Sequence, residues 1–145
     1  VTSTQEQVEI SYDVSNEFFR LWLDERMHYT SAVYERETDT LEQAQINKCR
    51  VLYDFAEMTP EKLVLDIGCG WGANLEFLVT EKKVKRAHGI TLSRAQHDEI
   101  MARKLPGVQA MVADYRHYEP KEKYAALISI EMIDHLVSPA QSRQG

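Results

Sequence analysis

The sequence predicts an α/β fold in which an open parallel sheet follows a helical N-terminal segment. Residues 1 to about 60 show helical periodicity and no strand pattern, whereas apolar strands alternate with helices after Pro60. In addition, the first strand runs directly into a glycine-rich turn. With 145 residues, the chain has room for one core. We expect a helical cap at 1–60 and the N-terminal part of a sheet domain at 61–145.

The segment before the sheet contains three predicted helices. From residue 5 to residue 27, apolar and aromatic residues are spaced for two short helices, with a break near residues 12–15. Thr40 and Gln43 form a capping box that begins a longer helix. This helix keeps its apolar period to residue 58, and Pro60 is expected to end it.

The segment after Pro60 contains four predicted strands. They lie at 63–67, 87–90, 108–112 and 125–130, with helices at 72–81 and 93–104. The second of these helices is predicted to begin at another capping box, formed by Ser93 and Gln96. Right-handed crossovers place the carboxyl ends of all four strands at one edge, where open sheets bind ligands. Four strands are roughly half to two-thirds of a doubly wound sheet, so we expect the domain to be truncated after the fourth strand.

Composition excludes several classes of partner. The net charge of −6 and the pI of about 5.4 argue against nucleic acid, because phosphate binding needs a concentrated basic face. The chain has no apolar run long enough to span a bilayer and a polar N-terminus, so we expect a cytoplasmic protein. Two cysteines, Cys49 and Cys69, make neither a disulfide framework nor a metal site. The expected partner is a small molecule.

The turn from Asp66 to Gly72 is the best candidate for a ligand site. Its glycines let the main chain approach a ligand closely, and the next helix points unpaired N–H groups toward it. The spacing of Gly68, Gly70 and Ala73 fits a dinucleotide fingerprint. It fits equally the Asp-x-Gly-x-Gly-x-Gly loop of enzymes that use S-adenosylmethionine (SAM), and the spacing alone does not choose.

The end of the second strand bears on the choice of cofactor. An NAD site needs an acidic side chain about 20 residues after the glycines, for the ribose hydroxyls. The segment from His88 to Arg94 contains no acid, which disfavours NAD. Ser93 and Arg94 could instead hold the 2′-phosphate of NADP, so an NADP-dependent oxidoreductase domain remains an alternative.

Several motifs, in order and with matching spacing, resemble the cyclopropane fatty acid synthases and their mycolic acid relatives, which are SAM-dependent transferases. The resemblance covers the chain from residue 12 to about residue 136. The motifs lie at 12–19, 23–24, 27–30, 40–45, 66–72, 89–96 and 129–132.

This resemblance implies a Rossmann-like sheet of the class I SAM-dependent methyltransferases, with SAM as the cofactor. Physical chemistry agrees with these positions, since Asp66 and the glycine amides can hold the methionine end of SAM. Thr91 and Gln96 suit the ribose, while Asp114 and Tyr115 suit the adenine. The implied cofactor residues are Tyr29, Thr30, Asp66, Gly68, Cys69, Gly70, Gly72, Thr91, Leu92, Gln96, Asp114, Tyr115 and Arg116.

The resemblance also implies methyl transfer to a carbon, less readily to oxygen or nitrogen, of a lipid or lipid-like small molecule. In this family a bound bicarbonate removes a proton to close a cyclopropane ring, which makes Ser31 and Asp134 the candidate catalytic residues. The chain has Ser31 where the family usually has Cys, and Asp134 where it has Glu, so ring closure stays open. The same motifs are also compatible with a non-catalytic SAM-binding fragment or interaction module, and with a homo-oligomer.

Overall fold

The computed structural model describes residues 16–130, which form an α/β unit with a single parallel sheet. The strands are β1 (Val64–Ile67), β2 (Ala87–Thr91), β3 (Val108–Val112) and β4 (Ala126–Ser129). The helices are α1 (Asn16–Arg20), α2 (Leu41–Phe55), α3 (Ala73–Thr80) and α4 (Arg94–Ala102).

The strand order is β3-β2-β1-β4, and every neighbouring pair is parallel. The four predicted strands are therefore confirmed, with ends that differ by a residue. In this order β1 is central. The strands β1, β2 and β3 are added toward one edge of the sheet, and β4 then pairs with the other side of β1. In register, Asp66 of β1 lies between Gly89 of β2 and Ile128 of β4.

The N-cap bond of both predicted capping boxes is present, whereas the Gln43 side chain bonds to Asn47 and the Gln96 side chain bonds to Thr91. Thr40 Oγ1 accepts a hydrogen bond from the Gln43 amide at 3.2 Å at the start of α2, and Ser93 Oγ does the same for the Gln96 amide at α4. The end of α2 differs from the prediction, because the helix stops at Phe55 rather than continuing toward Pro60. Glu57 adopts a left-handed backbone with φ of +48°, which turns the next residue into the core.

The described part of the N-terminal segment is less helical than its apolar pattern predicts. The first of the two short helices expected between residues 5 and 27 lies largely outside the described residues, and the second is confined to α1. The chain then turns at Leu21 and Trp22, and Met27 has φ of +58°. Packing against Trp71, rather than helical period, accounts for the buried aromatic and apolar residues here.

The core lies between the sheet and α2, α3 and α4. α3 contributes the fully buried Leu75 and Leu78 together with Phe77, which is 2% exposed. A second cluster, formed by Phe19, Met27 and Trp71, joins the N-terminal segment to the turn after β1. This cluster fixes the position of the N-terminal segment relative to the carboxyl ends of the strands.

Length and apolarity also bear on the question of a membrane span. Across residues 16–130, none of the helices is both long enough and apolar enough to cross a bilayer.

Candidate cofactor site

The turn between β1 and α3, residues 68–72, is held in a left-handed and well-anchored conformation. Gly68, Gly70 and Gly72 all have left-handed backbones, with φ of +73°, +56° and +82°. The amides of Gly68 and Cys69 both donate to the Ile90 carbonyl, at 2.9 and 3.0 Å. We call residues 68–72 the glycine loop, and these bonds attach it to the end of β2.

The glycines of this loop face different surroundings. A Cβ atom on Gly72 would lie 2.8 Å from Ile100 Cγ1, so Gly72 is needed for the packing of α3 against α4. A Cβ atom on Gly70 would meet nothing within 4 Å. The main chain at Gly70 therefore faces open space, which we call the hollow, and a ligand could approach the backbone closely there.

Cys69 faces away from this hollow. Its side chain is 7% exposed, and burial raises the pKa of the thiol well above its ordinary value. Cys69 Sγ would lie 2.7 Å from a Cβ atom placed on Gly89 of β2. Gly89 lies within the 89–96 motif but is not among the site residues predicted from the sequence, although a glycine inside an apolar strand signals a close approach of this kind. Cys69 can therefore face a ligand only with its main chain.

Asp66 is a buried carboxylate at the end of β1. It is 2% exposed, and its Oδ2 atom accepts a hydrogen bond from Asn74 Nδ2 at 3.2 Å. Burial raises the pKa of Asp66 to about 6, although Asn74 and the charge of Lys48 both act to lower it. Asn74 Oδ1 is buried and has no hydrogen-bond partner among residues 16–130. This corner therefore offers a negative group and an unused acceptor, which suits a cationic donor.

Thr91 and Gln96 form a second polar corner at the end of β2. Thr91 Oγ1 donates to Gln96 Oε1 at 2.7 Å and accepts from the Ser93 amide at 3.1 Å. The Gln96 side chain thus reaches Thr91, so its role is more than a cap of α4. Ser93 is completely buried and its hydroxyl accepts from the Gln96 amide, which disfavours an NADP phosphate there. Leu92 between them is half-buried.

Asp114, Tyr115 and Arg116 follow β3 at the same edge. The carboxylate oxygens of Asp114 accept hydrogen bonds from Arg116 Nε at 2.9 and 3.0 Å, and Asp114 Oδ1 also accepts one from the Arg116 backbone amide at 2.9 Å. These bonds hold the pKa of Asp114 at about 2. Tyr115 is 39% exposed between them. The Asp114–Arg116 pair therefore shapes the turn that presents Tyr115.

Tyr29 and Thr30 approach the glycine loop from the N-terminal segment. The Tyr29 ring is 51% exposed and lies 6.5 Å from the Trp71 ring, measured between centroids. Phe19 lies between these elements, with its centroid 4.8 Å from that of Trp71. Ser31 is exposed beside Thr30. Asp134 lies outside the described residues. The rings of Phe19, Tyr29 and Trp71 thus contact one another at the glycine loop, and we call these three rings the aromatic wall.

A parallel sheet in the order β3-β2-β1-β4, with a glycine loop after β1 and polar corners after β1, β2 and β3, is the fold of the class I SAM-dependent methyltransferases. Within this class, the family described as mycolic acid cyclopropane synthetase matches residues 1–142. The chain belongs to that family.

Individual relatives agree with this assignment. Cyclopropane mycolic acid synthase 2 of Mycobacterium bovis is 46% identical over 98 residues, which is 66% of this chain and 32% of the relative. A probable fatty acid methyltransferase of Pseudomonas putida is 34% identical over 136 residues, or 90% of this chain and 34% of the relative. The chain thus spans about a third of the length of these two proteins.

Solved structures show the same fold. The cyclopropane synthase MmaA2 of Mycobacterium tuberculosis superposes with a TM-score of 0.84 at 32% identity, covering 93% of this chain and 48% of that one. The mycolic acid cyclopropane synthase CmaA1, solved with S-adenosylhomocysteine and CTAB, gives 0.85 at 29% identity, with the same coverage of both chains.

Proposed function

We propose that the protein is a SAM-dependent methyltransferase that transfers a methyl group to a carbon, less readily to oxygen or nitrogen, of a lipid or lipid-like molecule. The observation that carries the proposal is the open hollow at Gly70. It follows β1 at the edge of the sheet where Asp66 is buried and where the neighbouring strand β2 ends in the Thr91–Gln96 corner. Membership of the family supports the same cofactor and the same type of acceptor.

The residues around the hollow fit SAM chemically. Asp66 and the unused Asn74 Oδ1 provide acceptors for an ammonium group, and the glycine-loop amides suit a carboxylate. Thr91 and Gln96 would hold the ribose hydroxyls. Leu92, Asp114, Tyr115 and Arg116 would surround the adenine, with Gly68, Cys69, Gly70 and Gly72 contributing main chain and Tyr29 and Thr30 closing the site.

SAM supplies a methyl group already activated by its sulfonium, so the chemistry needs no protein nucleophile. The contribution of this chain is to orient the reactants and to exclude water. The aromatic wall of Phe19, Tyr29 and Trp71 suits that task, because apolar rings at the glycine loop displace water and accept an alkyl chain. We therefore propose that residues 1–60 cap the cofactor and that residues 61–145 bind it.

Ring closure requires a base after methyl transfer to an alkene. We propose that Ser31 and Asp134, which stand at the positions of the family's Cys and Glu, serve this step, with bicarbonate as the proton acceptor. Ser31 is a hydrogen-bond donor in place of the family's Cys, and Asp134 is one methylene shorter than Glu. That shortening moves a carboxylate by about 1.5 Å, which is enough to alter a preorganised site.

Calorimetry with S-adenosylhomocysteine (SAH), compared with NADPH, tests the cofactor. We expect SAH binding and no NADPH binding, and the reverse result would support the oxidoreductase alternative.

Labelled SAM with vesicles that contain unsaturated phospholipid tests the transfer, and proton NMR of the product distinguishes a cyclopropane ring from a methyl branch. SAH binding without any transfer to lipid, sterol or amine acceptors would favour the non-catalytic alternative.

A further inference from the structure

One face of α2 holds the residues on both sides of Tyr29. Gln45 Nε2 donates to the Thr30 carbonyl at 2.9 Å, and Lys48 Nζ donates to Thr30 Oγ1 at 2.6 Å. One turn away, Cys49 Sγ lies 3.4 Å from His28 Nε2. We call residues 28–30 the Tyr29 segment. Its backbone and flanking side chains are therefore attached to a long helix rather than held only by loop contacts.

The Lys48 ammonium group is the strongest of these attachments. Lys48 is 7% exposed, and lysine is almost never buried to this extent unless its charge is matched by acceptors. Besides Thr30, it donates to Gln45 Oε1 at 2.7 Å, and its positive charge acts on Asp66. Hydrogen bonds from a buried ammonium are stronger than those between neutral groups. Lys48 therefore contacts the Tyr29 segment directly, while its charge also acts on the Asp66 carboxylate.

The other end of the Tyr29 segment is also anchored. Asp24 Oδ1 accepts from the His28 amide at 2.7 Å, and Asp24 Oδ2 lies 2.8 Å from His28 Nδ1. Both side chains are buried. Tyr29 thus stands between two anchored neighbours, which explains how a half-exposed ring keeps its position beside Trp71.

We propose that Lys48 is a positioning residue for cofactor binding: it holds Thr30, and through Thr30 the Tyr29 ring, against the glycine loop. This inference rests on the proposed function, because Thr30 and Tyr29 are the residues proposed there to close the cofactor site. Lys48 acts through Thr30 rather than as a ligand of the cofactor. If Lys48 only supported the fold, its replacement would lower stability, but its effect on the Kd for SAH would not depend on Thr30.

The test compares Lys48→Met with Lys62→Met in the full-length protein. Lys62 is a matched control, because its Nζ donates to the Glu57 carbonyl at 2.6 Å but lies before β1, at the opposite end of the strand. We expect Lys48→Met to raise the Kd for SAH about tenfold, and Lys62→Met to leave it unchanged. If Lys48→Met fails to fold, as judged by circular dichroism, Lys48→Gln takes its place.

A double-mutant cycle with Thr30→Val separates positioning from general support. If Lys48 acts through the Thr30 hydroxyl, the Kd of the double variant for SAH should be close to that of the single variant with the higher Kd. Fully additive losses, or an unchanged Kd in Lys48→Met, would overturn the inference.

Amide hydrogen exchange of the Tyr29 segment without ligand provides an independent measurement. We expect the amides of residues 28–30 to exchange faster in Lys48→Met than in the wild type, and equal rates would overturn the anchoring role. Failure of the wild-type protein to bind SAH would instead overturn the proposed function. The exchange rates then decide the anchoring role separately, so the two failures are distinguishable.

Discussion

Gly89 of β2 provides the sharpest test of how the glycine loop is supported. A Cβ atom at this position would lie 2.7 Å from Cys69 Sγ, 2.7 Å from Leu75 Cδ1 and 2.9 Å from Cys69 Cβ. Carbon atoms pack at about 3.5 to 4.0 Å, so Gly89→Ala forces these neighbours apart by more than half an ångström. Leu75 is fully buried and Cys69 belongs to the anchored loop, so neither can move freely.

We expect Gly89→Ala to lower the free energy of unfolding by about 1 to 3 kcal/mol, the usual cost of overpacking a core. It should also weaken SAH binding, because the displaced atoms belong to the glycine loop. Adding Cys69→Ala removes the sulfur from the clash and should recover about 1 kcal/mol of the loss. Urea unfolding measures the stabilities, and calorimetry measures the Kd for SAH.

Gly70→Ala is the contrasting variant. Its Cβ atom meets nothing within 4 Å, so its stability cost is limited to the left-handed backbone, about 1 to 2 kcal/mol. Cys69→Ala should therefore rescue Gly89→Ala and leave the cost of Gly70→Ala unchanged. Equal, independent effects of Cys69→Ala in both backgrounds would refute the close approach of the loop to β2.

Three further predictions concern individual residues of the proposed site. Gly70→Val should abolish measurable SAH binding in calorimetry while the protein stays folded, because its side chain fills the open space; unchanged affinity would remove the loop from the site. Burial raises the pKa of Asp66 from 3.8 to about 6, so the folded protein binds this proton more tightly than the unfolded chain does. Its contribution to stability should thus fall by about 2 kcal/mol as the pH rises from about 4 to about 7. Asp66→Asn should flatten that part of the urea-derived profile, and parallel profiles would contradict the burial of the carboxylate. Asp134→Asn should reduce turnover in the labelled-SAM assay at unchanged Kd for SAH, and equal turnover would exclude a catalytic role.

Local sequence signals were sufficient for most of the fold. The apolar runs of β1 to β4 and the N-caps Thr40 and Ser93 depend on neighbours within a few positions, and each is present as predicted. The extent of α1 cannot be predicted from helical periodicity, because Phe19 is buried by its contact with Trp71 and not by a regular apolar helix face. A contact between residues so distant in sequence leaves no trace in a helical period.

The same contrast between local signals and distant contacts applies to the candidate cofactor site. The glycine spacing indicated a tight turn, but it could not say that Gly70 faces open space while Gly72 packs on Ile100. It also could not show that the Cys69 side chain points toward Gly89. Each of these outcomes depends on how two strands and two helices converge, which the residues of the loop do not encode by themselves. The roles of the individual site residues stay predictions.

The aromatic wall has a practical consequence for spectroscopy. The chain has two tryptophans, and both stand at this wall: Trp71 is 2% exposed, while Trp22 is 51% exposed with its ring centroid 5.9 Å from that of Tyr29. Tryptophan fluorescence of this chain therefore originates at the aromatic wall, from one shielded and one exposed indole. A titration followed by emission wavelength and iodide quenching would report on this wall directly, with no label attached.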